Sequence, residues 1–171
     1  MSRSVLTIIL PLALLLQGQV GSRAETWAIS AEDVSSVRVE KAARRLLLLD
    51  ENGRPLRIIN GIQLGGDPVG AKHFEGDERT PEGRYVIDYA NPSSSYHLSL
   101  HISYPAPRDR AFAESLGASP GGQIFIHGQP NSLESGRMVG DWTDGCIALS
   151  NQEIEELWEL VPDGTPIEIV N

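Results

Sequence analysis

Asn52-Gly53, set between the apolar runs 44–50 and 56–64, is the feature that most constrains the fold. An Asn-Gly pair between two apolar runs favours a tight reversal, and so an antiparallel pair of strands. The first run, Arg44-Arg45-Leu46-Leu47-Leu48-Leu49-Asp50, is apolar at consecutive positions, as a strand covered on both faces would be. Its four leucines also fit a helix with Ala42 and Ala43; the strand is the expectation carried forward. Further strands are expected where Val37 and Val39 alternate with Arg38 and Glu40, over 84–89, over 123–128 and over 165–170. Residues 96–104 alternate most clearly, with Leu98, Leu100 and Ile102 on one face and His97, Ser99 and His101 on the other. Two short helices complete the pattern. One spans 110–116, capped by Asp109 and ended by Gly117. The other follows the capping box Ser150-Asn151-Gln152-Glu153 and carries Ile154, Leu157, Trp158 and Val161 on one face. The chain is mainly β with minor α, and its 171 residues have room for one domain.

The formal net charge of −9 argues against nucleic acid or an anionic membrane surface as a partner. Arg3, the apolar run 5–16 and the small residues around Ser22-Arg23-Ala24 read as a secretory signal peptide, too short for a comfortable membrane span. The expected organisation is a signal peptide over 1–24, a lead-in over 25–35 and a catalytic domain over 36–171, exported to the periplasm or cell envelope. Cleavage would leave 12 basic against 23 acidic residues, a charge of −11. An exported domain with one cysteine cannot staple itself, so Cys146 is an idle thiol or a nucleophile.

The nucleophile reading has local support. Gly145-Cys146 precedes an apolar run, and His127 ends the strand-like segment 123–128. A histidine can take the thiol proton, provided a third group holds its tautomer; the Gly128 carbonyl is a candidate. Backbone N–H groups at Asp144 and Gly145 are candidates for an oxyanion hole. Trp142 fits stacking on substrate or aromatic support, and Arg79, Lys72 and Arg84 are candidates to meet carboxylates. The loop 65–83, with five glycines and two prolines, is long enough to suggest function. His97 and His101 lack an evident third ligand, which favours a hydrogen-bonded polar face over a metal site.

His127-Gly128 followed by Thr143-x-Gly145-Cys146-Ile147 resembles the signature of the L,D-transpeptidase catalytic family, the YkuD-type domain. The words Gly76-Asp77-Glu78-Arg79-Thr80-Pro81-Glu82-Gly83 are similar to that family's upstream segment, and the resemblance runs over about 37–170. It implies a β-sandwich of mixed sheets and no cofactor. It also implies a thioester at Cys146 with a peptidoglycan stem peptide, formed at the L-centre of a diaminopimelate residue with loss of D-alanine. An amine then resolves it, from a second stem or from a lysine-bearing acceptor protein. Cys146 is implied as nucleophile, His127 as base and Gly128 as orienter; Thr143, Trp142 and Arg79 are candidate substrate contacts on the residues themselves, against aromatic support for Trp142 and an isolated surface charge for Arg79. Two positions depart from the pattern: Asp144 replaces a histidine, and Ala148 stands where arginine or asparagine is common. A carboxylate beside the thiol opposes thiolate formation. The alternatives are a wall hydrolase using the same pair and a non-catalytic wall-binding module.

Overall fold

The structure, a computed structural model, describes residues 29–171. The expected signal peptide and the first residues of the lead-in lie outside the described residues. Ser30 caps one 3-10 turn, Ala31–Asp33, and then β1 (Ser36–Glu40), β2 (Arg45–Leu49) and β3 (Pro55–Asn60) follow. Next come β4 (Gly83–Ser94), β5 (His97–Ile102), α1 (Pro107–Ser115), β6 (Ile124–His127), β7 (Ile147–Ala148), α2 (Asn151–Leu160) and β8 (Thr165–Val170). The mixed sheet is one continuous layer in the order β3-β2-β1-β8-β4-β5-β6-β7. The β1/β8 and β6/β7 pairs are parallel and the rest antiparallel.

The sheet curls until its two ends touch. Past β3, Gly61 takes a φ of 71° and redirects the chain, so that Gln63 bridges Ala148 and Gly65 bridges Thr143. Gln63 and Ala148 exchange both backbone hydrogen bonds, at 2.9 and 2.8 Å. These bridges hold the residues on either side of Cys146 against residues 63–65, where the long loop begins. The interior is filled by Val37, Val39, Leu46, Leu48, Ile87, Leu100, Ile102, Ile126, Ile147, Ile167 and Ile169. The Glu153 carboxylate accepts from Ser150 N–H and Oγ–H, which completes the expected box at the start of α2. The helix packs on β5 and β6 through Ile154 and Leu157, each worth about 1.5–3 kcal/mol on burial.

Three local expectations change. The β2–β3 reversal spans residues 50–54 instead of a two-residue turn, because Asp50 accepts from Asn52 N–H and Arg54 N–H and widens it around Gly53. The first helix starts at Pro107, with Ala106 as its cap and Asp109 one turn in, accepting from Ala106 N–H. A proline at the first helical position loses no intrahelical bond, so Pro107 opens the helix earlier than the Asp109 signal suggests. Strand β4 runs on to Ser94 through Pro92, because β8 pairs it only as far as Ile87. Beyond that point β4 has an open side, where a missing N–H costs no ladder bond.

Candidate active site

Cys146 immediately precedes β7, and His127 ends β6. The parallel register sets Ile126 beside Ile147 and His127 beside Ala148, so Cys146 falls one step earlier, beside Phe125. Neighbours in register point to one face of a sheet, which puts the thiol and the imidazole on the same face. Both line an open cleft of about 860 Å³. Its walls come from the β4–β5 reversal around Tyr96, from residues 121–125, from the long loop at Lys72, Glu75 and Glu78, and from Trp142-Thr143-Asp144.

His127 is 3% exposed, and its Nδ1 lies 2.7 Å from the Gly128 carbonyl. A carbonyl can only accept, so Nδ1 carries the proton and Nε2 presents a lone pair. Tyr96 lies against the imidazole at 4.6 Å and Trp142 at 5.6 Å, ring centre to ring centre. Burial lowers the His127 pKa, and the Gly128 bond only partly offsets that. The half-buried Cys146 thiol is pushed up to about 11 by burial and by Asp144; the Phe125 N–H and Lys72 act the other way. Both groups therefore rest neutral. The thiol does not hydrogen-bond His127: Sγ accepts from Phe125 N–H at 3.4 Å and donates to the Gln123 carbonyl at 3.5 Å. It lies along β6, and resting sites often hold such bonds loosely until substrate arrives.

The glycines flanking the pair are sterically required. A Cβ at Gly145, where φ is 130°, would sit 2.5 Å from the Arg79 carbonyl oxygen. One at Gly128 would meet Asn151 Oδ1 at 2.7 Å and His97 Cβ at 2.9 Å. Thr143 Oγ1 accepts from Gly145 N–H and donates to the Cys146 carbonyl, so both bonds of its hydroxyl brace the cysteine loop. That engages the Gly145 N–H. The N–H groups of Asp144 and Cys146 have no acceptor among the described residues, and both residues line the cleft. The Trp142 indole N–H is buried with no partner among the described residues.

The remaining sequence candidates separate. Arg79 binds Asp67 through Nε and Nη2 and does not line the cleft, so it supplies no cation to the thiol. Arg84 lies on β4 against Glu168 of β8 and does not line the cleft. Lys72 is the one lysine or arginine in the cleft wall among the described residues. His97 and His101 each hydrogen-bond a carboxylate, Glu155 at 2.7 Å and Asp88 at 2.6 Å.

Sequence reasoning missed the scaffold behind the site. Lys41, 1% exposed, donates to the Gly70 and Thr80 carbonyls and to Glu82, tying the long loop to the end of β1. Asp141 accepts both Arg44 Nη groups and the Leu64 N–H, which pins the start of the cysteine loop. Gln129 Nε2 donates to Gln63 Oε1 and the Leu149 carbonyl, and Gln63 Nε2 to the Met138 and Gly140 carbonyls. Only the position of Gln129, two residues past His127, hinted at any of this.

The family model for the L,D-transpeptidase catalytic domain (YkuD) matches residues 35–169. No curated protein matches the chain. Among solved structures, the helical cell shape determining protein Pgp2 of Campylobacter jejuni is 30% identical at a TM-score of 0.65, with 80% of this chain and 47% of that one covered. Bd1075 of Bdellovibrio bacteriovorus is 23% identical at 0.58, covering 83% and 50%. An L,D-transpeptidase of Xylanimonas cellulosilytica is 19% identical at 0.52, covering 84% and 62%, and shares the fold. The chain thus spans about half the length of the first two.

Proposed function

The chain belongs to the L,D-transpeptidase catalytic domain family, and on that premise we propose that it is an exported cysteine acyltransferase acting on peptidoglycan stem peptides. The observation that carries this reading is the shared face of Cys146 and His127, with Nδ1 of His127 held by the Gly128 carbonyl. The thiol leaves the Gln123 carbonyl, gives its proton to His127 Nε2 and forms a bond to the donor carbonyl carbon. The carbonyl oxygen takes the negative charge, facing the Asp144 and Cys146 N–H groups. The C–N bond then breaks, and the leaving amine takes the proton from Nε2, leaving a thioester. An acceptor amine attacks, loses its proton to Nε2 and forms the new amide, while the sulfur leaves and recovers that proton. Because both groups rest neutral, proton transfer accompanies attack instead of preceding it. Cys146 is the nucleophile, His127 the base and Gly128 the orienter. Thr143 positions the cysteine loop, and the place of action is the cell envelope.

Hydrolysis is a second reading, favoured by Asp144, whose carboxylate lines the cleft without a hydrogen-bond partner among the described residues. It can orient a water toward the thioester. The test is intact-protein mass spectrometry with a carbapenem and with stem tetrapeptides. The expected result is an adduct on the native protein, absent from Cys146→Ala and slowed at least 100-fold in His127→Ala. Amide products with an added amine indicate transfer, and free acid alone indicates hydrolysis. A folded protein with a titratable thiol and no adduct would reject both and favour a wall-binding module.

A further inference from the structure

The cleft is electrically lopsided. The acidic residues that line it, Glu75, Glu78 and Asp144, share it with a single lysine or arginine, Lys72, beside the neutral His127. The Lys72 side chain is 3% exposed, and its Nζ donates to Asp77 Oδ1 at 2.8 Å. Asp77 does not depend on Lys72 alone, because it also accepts from the backbone N–H groups of His73, Phe74 and Arg79. An ammonium carries three donors. Asp77 fills one, and the other two have no acceptor among the described residues. A buried cation with open donors on a ligand-sized cleft is undersatisfied, and an anionic group entering the cleft repays its lost hydration.

We infer that Lys72 reads the free carboxylate of the amino acid that follows the donor's scissile bond. This rests on the acyl-transfer reading for the identity of the donor. The reasoning is positional. Lys72 and Cys146 line the same cleft. In a donor peptide, the carboxylate of a single terminal residue is only an N–Cα unit beyond the attacked carbonyl carbon. A carboxylate placed near Glu75, Glu78 or Asp144 meets like charge, and the remaining wall, from Asn91 to Ser99 and from Gly121 to Gln123, carries no formal charge to attract it. Lys72 is thus the one charged side chain of the lining that attracts a carboxylate, and holding it there keeps the scissile carbonyl in the cleft that the thiol lines. Donors ending in a free acid one residue past the bond are preferred over amides.

The experiment is calorimetric binding to full-length Cys146→Ala, which removes the chemistry. The two probes are a stem tetrapeptide with a free terminal carboxylate and the same peptide as its terminal carboxamide. A charge-assisted hydrogen bond in such a site makes the acid bind about 10- to 100-fold tighter. Adding Lys72→Met brings the ratio close to one, and Lys72→Arg keeps part of it. The double change Lys72→Met with Asp77→Asn removes the pair without stranding a buried carboxylate, and its ratio is also close to one. A purely structural role would weaken both probes equally and keep the ratio. Equal binding of acid and amide to Cys146→Ala, or a ratio that survives loss of Lys72, overturns the inference. Discrimination by Cys146→Ala beside a native protein that forms no thioester would sustain it while rejecting the acyl-transfer reading.

Discussion

The resting state of Cys146 sets how the site works, and it can be titrated directly. Burial and Asp144 push the thiol up to about 11, against an unperturbed value of 9.0. Two pH units correspond to about a 100-fold smaller thiolate fraction at neutral pH than an ordinary cysteine has. His127 is displaced the opposite way, toward its neutral form, and the thiol is turned onto Gln123. No thiolate–imidazolium pair is therefore stored at rest. The assay is the rate of alkylation by iodoacetamide from pH 6 to 12, read by intact mass. Cys146 is the only cysteine, so the adduct that Cys146→Ala lacks reports on it. The expected profile rises with a midpoint near 11. His127→Ala leaves that midpoint nearly unchanged while abolishing donor acylation, and Asp144→Asn moves it down. A midpoint near or below neutral that rises on loss of His127 would refute the argument, because it is the signature of a preformed ion pair.

Two further predictions concern the scaffold. Gly145→Ala forces a Cβ to within 2.5 Å of the Arg79 carbonyl at a φ of 130°. Strain and overpacking together cost about 4 kcal/mol, or roughly 8–16 °C in Tm. Gly140→Ala, with a φ of 68° and open space, loses about 1–2 kcal/mol; equal losses in thermal melts would contradict the packing argument. Burial works against the charge of Asp77, but hydrogen bonds from His73 N–H, Lys72, Phe74 N–H and Arg79 N–H prevail and hold its carboxyl below 3.8. Its folded pKa is depressed, so this stabilisation is complete above about pH 4 and is lost as pH falls through the folded value. Urea midpoints of the native protein and Asp77→Asn should differ at pH 7 and converge at lower pH, and a constant gap would count against it.

Much of the site was legible because its signals are local. His127, Gly128, Gly145 and Cys146 lie in short words whose chemistry does not depend on distant partners. A histidine before glycine already supplies its own orienting carbonyl, and the structure uses that carbonyl. Arg79 illustrates the opposite case. Its charge was visible, but Asp67, twelve residues away, takes that charge along the loop, and only Lys72 remains in the cleft. Lys41 stood in a turn with nothing to distinguish it, and its three partners lie 29 to 41 residues on.

By itself the sequence determined most of the elements and their faces, since alternation, capping boxes and turn residues act over a few positions, but not the reach of β4 or the short β7. Strand β8, the box at Ser150 and the face of β5 follow from that. Which strands became neighbours was decided only in three dimensions: β8 lies between β1 and β4, and the sheet curls until Gln63 meets Ala148. Those contacts set Cys146 beside β6, held the thiol neutral and left one cation in the cleft. Each is a consequence of burial, and burial belongs to the packed molecule because it depends on what every other segment covers.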